Sequence, residues 1–447
     1  MQRQVLSAYN ELLGLEDPRT TKALSNLAEI LWNRGNVAEV EAICRKVLAI
    51  NRKVLGDAHP DVAEALNNLA TVLLSEGKLV EAEPLQREAV ALYRRVSGPD
   101  DLKLANALNN LGAVLKDEGR PAEAEAAYRE TLAIQQKVLD GEHPQIAITL
   151  NNLANVLEPQ GKFAEAEAVH RQALALKIKR LGEKHPQVAD SLSNLANLLR
   201  RTGRWPESEE LERKALAMRR ELLGNDHPRV GISLENLSDL MLARTNLVEA
   251  EALQRDALAV YRKAWGNEHP DVARSLIKLA RVLQAAGKPA EAETAANEAL
   301  ATQRKVLGAE HPDIAPSLER LAMLKREGGK LAEAEALVRE SLRIREKKQA
   351  GHWRMFSTRV ALGELLLQQK NYAEAEPLLL SGYGGMKERE ATIPAESKLR
   401  LKTTLESLVQ FYEATGRPNQ AAEWKKTLEA FGQSEAQKPP ATPTNPQ

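Results

Sequence analysis

Cysteine is almost missing from this chain of 447 residues: Cys44 stands alone, which excludes an internal disulfide framework and any cysteine-rich zinc site. It lies in an apolar helical stretch and reads as a buried structural residue. Aromatics are scarce at 4% and strand formers are few, whereas Ala and Leu dominate and charged residues reach 28%, a mixture typical of long packed helices. A net charge is also lacking, since Lys plus Arg and Asp plus Glu both number 62. No global field therefore draws the chain to nucleic acid or to an anionic membrane. No run approaches the roughly 18 apolar residues a membrane helix needs, and the opening MQRQVLSAYNELLG does not read as a signal peptide. The cytoplasm is the expected location.

What the chain does have is a period. His-Pro recurs at His59-Pro60, His143-Pro144, His185-Pro186, His227-Pro228, His269-Pro270 and His311-Pro312, always 42 residues or twice 42 apart. The skipped copy falls at Asp101-Leu102, an earlier one at Asp17-Pro18, and a later one slips by one to His352-Trp353. A last, degenerate copy with Leu408, Gly416 and Ala421 follows what reads as an insertion rich in glycine (Gly382, Gly384, Gly385), making ten units.

Within a unit the first helix reads like residues 59–74, where Val62, Ala63, Leu66, Leu69, Ala70 and Leu73 share one face at about 100° per residue. Pro60 at the first helical position loses no hydrogen bond, and Asp61 suits the positive helix end, so His-Pro-Asp is a helix start. Gly77, like Gly35, Gly119, Gly161, Gly203 and Gly287 in other units, permits the positive φ that turns the chain. A second helix follows over 81–96, with Ala82, Leu85, Ala89 and Leu92 spaced for packing. One pair cannot bury its apolar stripe, but a stack makes a continuous core. The expected fold is all-α, a right-handed α-solenoid of about ten antiparallel helix-turn-helix repeats. Its expected layout is a partial repeat over 1–16, eight regular repeats over 17–351, two divergent ones over 352–432 and a disordered Pro-rich tail over 433–447.

The residues resemble a tetratricopeptide array. Leu66, Leu69, Ala70 and Leu73 fall where that family has its W-x2-L-G-x2-Y series, Ala82 and Ala89 fall on its small second-helix positions, and Gly112 and Tyr128 restore its glycine and an aromatic. The Trp and Tyr positions are mostly Leu, and the period is 42 rather than the family's usual length. With its L-N-N-L-A core and G-x-x-H-P junction, the repeat is similar to the kinesin light chain type. That resemblance implies a non-catalytic scaffold binding a protein or peptide on the concave face, without nucleic acid or membrane; it does not name the ligand.

The residue nine after the capping histidine points away from the apolar face. It is asparagine in six consecutive units, Asn26, Asn68, Asn110, Asn152, Asn194 and Asn236. An amide carries a donor and an acceptor, which suits the backbone of an extended peptide, and similar kinesin light chain repeats use these asparagines in that way. The alternative is that the amides bond neighbouring helices and set repeat spacing. Lys278 and Arg320 take this position in the next two units, with Arg274 and Arg281 a turn either side of Lys278, so the groove is expected to turn basic there and to suit an acidic or phosphorylated segment. Upstream, Asp190, Glu235 and Asp239 lean acidic.

Chemistry is not apparent. Seven of eight histidines sit at the repeat junction, one per unit, too far apart to share a metal, and read as caps; His170 reads as a surface or interface residue. The E-A-E triplets suit a helix N-terminus. No P-loop, G-x-S-x-G, H-E-x-x-H or dinucleotide turn is present, so no enzyme, cofactor or metal is expected. Two rival readings remain: a regulatory or sensor arm of a larger signalling ATPase or protease, and self-association through the N-terminal end, where the first helix of a unit is missing.

Overall fold

The computed structural model describes residues 14, 17–33, 36–393 and 397–436. Residues 1–13 of the half unit, Gly35 and tail residues 437–447 lie outside them. The described residues are all-α, without a strand, and divide into two compact units, 1–180 and 181–447.

The first unit holds α1 (Pro18–Asn33), α2 (Val37–Leu55), α3 (Pro60–Ser75), α4 (Leu79–Val96), α5 (Leu102–Asp117), α6 (Pro121–Val138), α7 (Pro144–Leu157) and α8 (Phe163–Leu181). The second holds α9 (Pro186–Arg201), α10 (Trp205–Leu223), α11 (Pro228–Ala243), α12 (Leu247–Trp265), α13 (Pro270–Ala285), α14 (Pro289–Leu307), α15 (Ala315–Glu327), α16 (Leu331–Lys348), α17 (Trp353–Gln368), α18 (Tyr372–Glu388), α19 (Leu399–Ala414) and α20 (Pro418–Ala436). From α1 to α7, and again from α9 to α20, each helix packs on the next in sequence, which makes each unit an α-solenoid.

The helix starts follow from the junction residues. In each of seven histidine caps the ring Nδ1 accepts the backbone N–H two residues on, as His59 does from Asp61 at 3.1 Å, and in all but the His352 cap the proline behind the histidine needs no acceptor. Asp101 replaces the imidazole in α5, accepting from Lys103 at 2.6 Å. At the junction after α14, Pro312–Ile314 forms a 3-10 turn, and α15 then begins with Pro316 at its second position, where the missing N–H is harmless.

The core face of α3 is buried as its periodicity requires: Val62, Ala63, Leu66, Ala70 and Leu73 are fully covered. Gly112 has a steric reason, because a Cβ there would stand 2.7 Å from Tyr128 Cε1; the glycine makes room for a ring on its own hairpin partner. Gly382 and Gly385 lie inside α18, not in an insertion. Added Cβ atoms would meet Val360 at 2.5 Å and Phe356 at 2.0 Å, so these glycines let α17 approach closely. The extra residues instead run from Arg389 to Lys398 and include the turn Glu390–Thr392. At the other end, α20 continues to Ala436, into the stretch whose composition reads as tail.

Candidate functional site

In the first unit the amide position of three successive first helices opens on one cleft of about 930 Å³. Asn26 of α1, Asn68 of α3 and Asn110 of α5 line it, joined by Asn67, Asn106 and Asn109. Asn26 and Asn68 make no side-chain hydrogen bond to any described residue. Asn110 Nδ2 donates backwards to Asn67 Oδ1 at 3.0 Å and Thr71 Oγ1 at 3.3 Å, and Asn152 Nδ2 donates to Asn109 Oδ1 at 3.0 Å. The bonds between asparagines span 43 residues and the one to Thr71 spans 39, one repeat to the next, so Asn110 and Asn152 bridge adjacent repeats, the alternative use of the amides.

The floor of the cleft comes from the second helix of the hairpin. Residues 19 apart meet across each hairpin: Gln86 donates to Asn67 at 2.8 Å, Glu212 accepts from Ser193 at 2.9 Å, and Gln254 donates to Glu235 at 3.5 Å. Gln86 reaches on to the Ala107 carbonyl at 2.9 Å in the next hairpin, filling the space between first helices. The corresponding pair under the cleft is Ser25 and Cys44, both short, and both line the opening. Burial pushes the Cys44 thiol up to about 11, so the floor is uncharged at neutral pH. Trp32 and Val54, 39% and 42% exposed, add apolar surface.

In the second unit the same position passes from the amides Asn194 and Asn236 to Lys278 and Arg320, and ion pairs surround it. Asn236 donates to Glu212 at 3.2 Å. Glu212 itself is buried, and that burial raises its pKa against the opposing pull of Ser233, Arg219, Ser193 and Asn236. Buried Arg219 binds Asp190 at 2.9 Å, which also binds Arg229 at 2.7 Å. Lys278 lies 3.0 Å from Glu235 and 3.2 Å from Asp239, Arg281 pairs with Asp239, and Arg274 with Asp271 at 2.9 Å. Arg320 donates to Gln284 at 3.1 Å, and burial lowers its pKa. Of the cations expected to form a basic patch, Lys278, Arg281 and Arg274 each meet a carboxylate and Arg320 meets an amide; Glu235 and Asp239, read as a separate upstream feature, are the partners of Lys278 and Arg281. Asn194 is half-buried on α9.

Two further patterns escape inspection of single helices. The E-A-E triplets tie successive second helices together: Glu123, Glu165, Glu249 and Glu291 each meet an arginine 36 residues earlier, and Arg94 meets Glu130 at 2.6 Å. Glu125 takes Arg129 from its own helix and Lys162 from the next hairpin. His170 is 1% exposed, not a surface residue, with Nε2 3.3 Å from Glu158. Among the described residues no three His, Cys, Asp or Glu side chains converge as a metal site would need, and no helix is long and apolar enough to cross a membrane.

A tetratricopeptide repeat model matches seven overlapping stretches, 19–95, 61–137, 103–179, 145–221, 187–263, 232–305 and 271–347. No curated protein matches the sequence. Among solved structures, one of nearly identical TPR-like repeats described as kinesin light chain, from Podosopora anserina, is 30% identical, with 46% of this chain and 99% of that one covered at a TM-score of 0.40. BtubC (BKLC) from P. vanneervenii is 24% identical over 52% of this chain and 92% of that chain, TM-score 0.44. RapI in its apo form is 14% identical over 64% and 98%, TM-score 0.50, a likeness of fold alone.

Proposed function

The chain belongs to the tetratricopeptide repeat family, whose members are generally protein–protein interaction scaffolds, and we propose that it holds an extended segment of a partner protein in the cleft of its first unit. The observation that carries this reading is the lining itself: seven asparagines around an open volume of about 930 Å³, with Asn26 and Asn68 uncommitted to any described residue. An extended backbone presents a donor and an acceptor at each residue, and a side-chain amide answers both without regard to sequence. The helices that carry the amides are fixed by their cores before any ligand arrives, so little ordering cost falls on the scaffold.

The test is a linear peptide library selected against the full chain, followed by Asn26→Ala, Asn68→Ala and Asn110→Ala together. At about 1 kcal/mol for each lost amide–backbone bond, affinity for the selected peptides falls about a hundredfold. Unchanged affinity in the folded triple variant removes the amides from the binding site.

A further inference from the structure

We infer that the cleft selects its segment by side chain, taking one bulky apolar residue over Cys44 with a lysine or arginine beside it; this rests on the peptide-binding reading above. Depth is the first ground. The equivalent space in the next hairpin is crossed by Gln86, which reaches both Asn67 and Ala107. In the hairpin after that it is filled by the fully buried Tyr128 ring against Gly112. Ala296 is short too, but there Ile277 packs onto the core. Between α1 and α3 neither Ser25 nor Cys44 is long enough, and Val40, Val47, Ala65 and Val72 line the space beneath. The Ser25 hydroxyl already donates to the Thr21 carbonyl, and such a mainly apolar floor gains most from an apolar side chain.

Charge is the second ground. Glu29, Asp61 and Glu64 line the cleft against a single Lys22; Lys103 meets Glu64 at 3.0 Å and lies within electrostatic reach of Asp61. The remaining negative potential complements a cation next to the anchor and disfavours an acidic segment.

Two measurements on the full chain separate this inference from the reading beneath it. The neutral fluorophore N-phenyl-1-naphthylamine probes the floor alone. It binds the wild type saturably, binds Cys44→Ala equally, and loses about tenfold or more with Cys44→Gln, a side chain the same register already accommodates at Gln86 and Gln254. Ala65→Leu, filling the opposite wall, has the same effect should Cys44→Gln fold poorly. No dye binding to the wild type, or undiminished binding to both filled variants, overturns the pocket.

The peptide library probes the segment. Enriched sequences carry a large apolar residue with Lys or Arg within two positions, and Glu29→Lys with Asp61→Lys removes the basic preference. Enriched sequences that are acidic, lack an apolar anchor, or bind Cys44→Gln as well as the wild type overturn the inference while the peptide-binding reading stands. A library that enriches nothing sinks both.

Discussion

The two units use one backbone plan and finish its polar wall in opposite ways. In the first, the position nine after the capping residue carries uncharged amides, and Asn26 and Asn68 are left to a cleft. In the second, the register turns from Asn194 and Asn236 to Lys278 and Arg320, and ion pairs crowd it: Glu212, Arg219 and Asp190, then Glu235, Lys278, Asp239 and Arg281. A neutral amide is only mildly costly to leave facing water, whereas a half-buried charge must find a counter-ion, and in a stack it finds one on the adjacent repeat. Charges at this wall thus hold repeats together, as the amides of Asn110 and Asn152 also do, whereas Asn26 and Asn68 make no such bond.

The contrast is broken most forcefully at Arg219. Arg219→Met strips Asp190 and Ser233 of a buried partner and costs the second unit about 3 kcal/mol, visible by scanning calorimetry as a shift of that unit's transition while the first unit's stays in place. A shift under a third of that size argues that the network is ornamental. Acid titration sharpens the same point through two carboxyls of opposite behaviour. Glu212 sits above its ordinary value of 4.5 because it is buried, so its contribution is full below 4.5 and fades as pH rises through the folded value. Glu41, hydrogen-bonded by Lys78 and Arg45, is held down at about 2; its contribution is full above 4.5 and fades as pH falls toward about 2. Subtracting the pH–stability curves of Glu212→Gln and Glu41→Gln from that of the wild type gives slopes of opposite sign, and equal signs contradict the assignment.

Smaller effects come next. Thr245 turns the chain with φ 59 where Gly77 does so at 71, and Thr245→Gly stabilises the second unit by about 1 kcal/mol, measured by urea midpoint, since a β-branched residue is strained there. Asn110→Ala removes its bonds to Asn67 and Thr71 and costs the first unit about 1 kcal/mol in the same assay, well short of the Arg219 loss. Arg94→Ala, cutting a solvent-exposed rung to Glu130, costs about 0.3 kcal/mol and nothing measurable in high salt.

Helix starts, turns and the apolar face of each first helix were legible because they depend on residues within one turn of each other: His59 caps Asp61, and Val62 through Leu73 repeat at helical spacing. The asparagine register was legible for the same reason. The pairing of Lys278 with Asp239 was not, because their separation of 39 residues has meaning only once repeats are stacked. Nor was the role of the E-A-E triplets, which link helices 36 residues apart, or the interior place of His170, set by the hairpin partner across from it. Gly382 and Gly385 misled for a related reason: glycine signals a loop to its sequence neighbours, but here it answers Val360 and Phe356 on another helix.

The meeting of residues 19 apart across a hairpin gives this array a simple way to open or close a hole between first helices. Because every repeat presents the same pair of positions on the same framework, shortening both side chains in any hairpin, as Ser25 and Cys44 do, unplugs a hole there without disturbing the helices, and lengthening them seals it again. On the binding proposed above, the place that takes the partner's anchor would migrate along the array by two codon changes at a time.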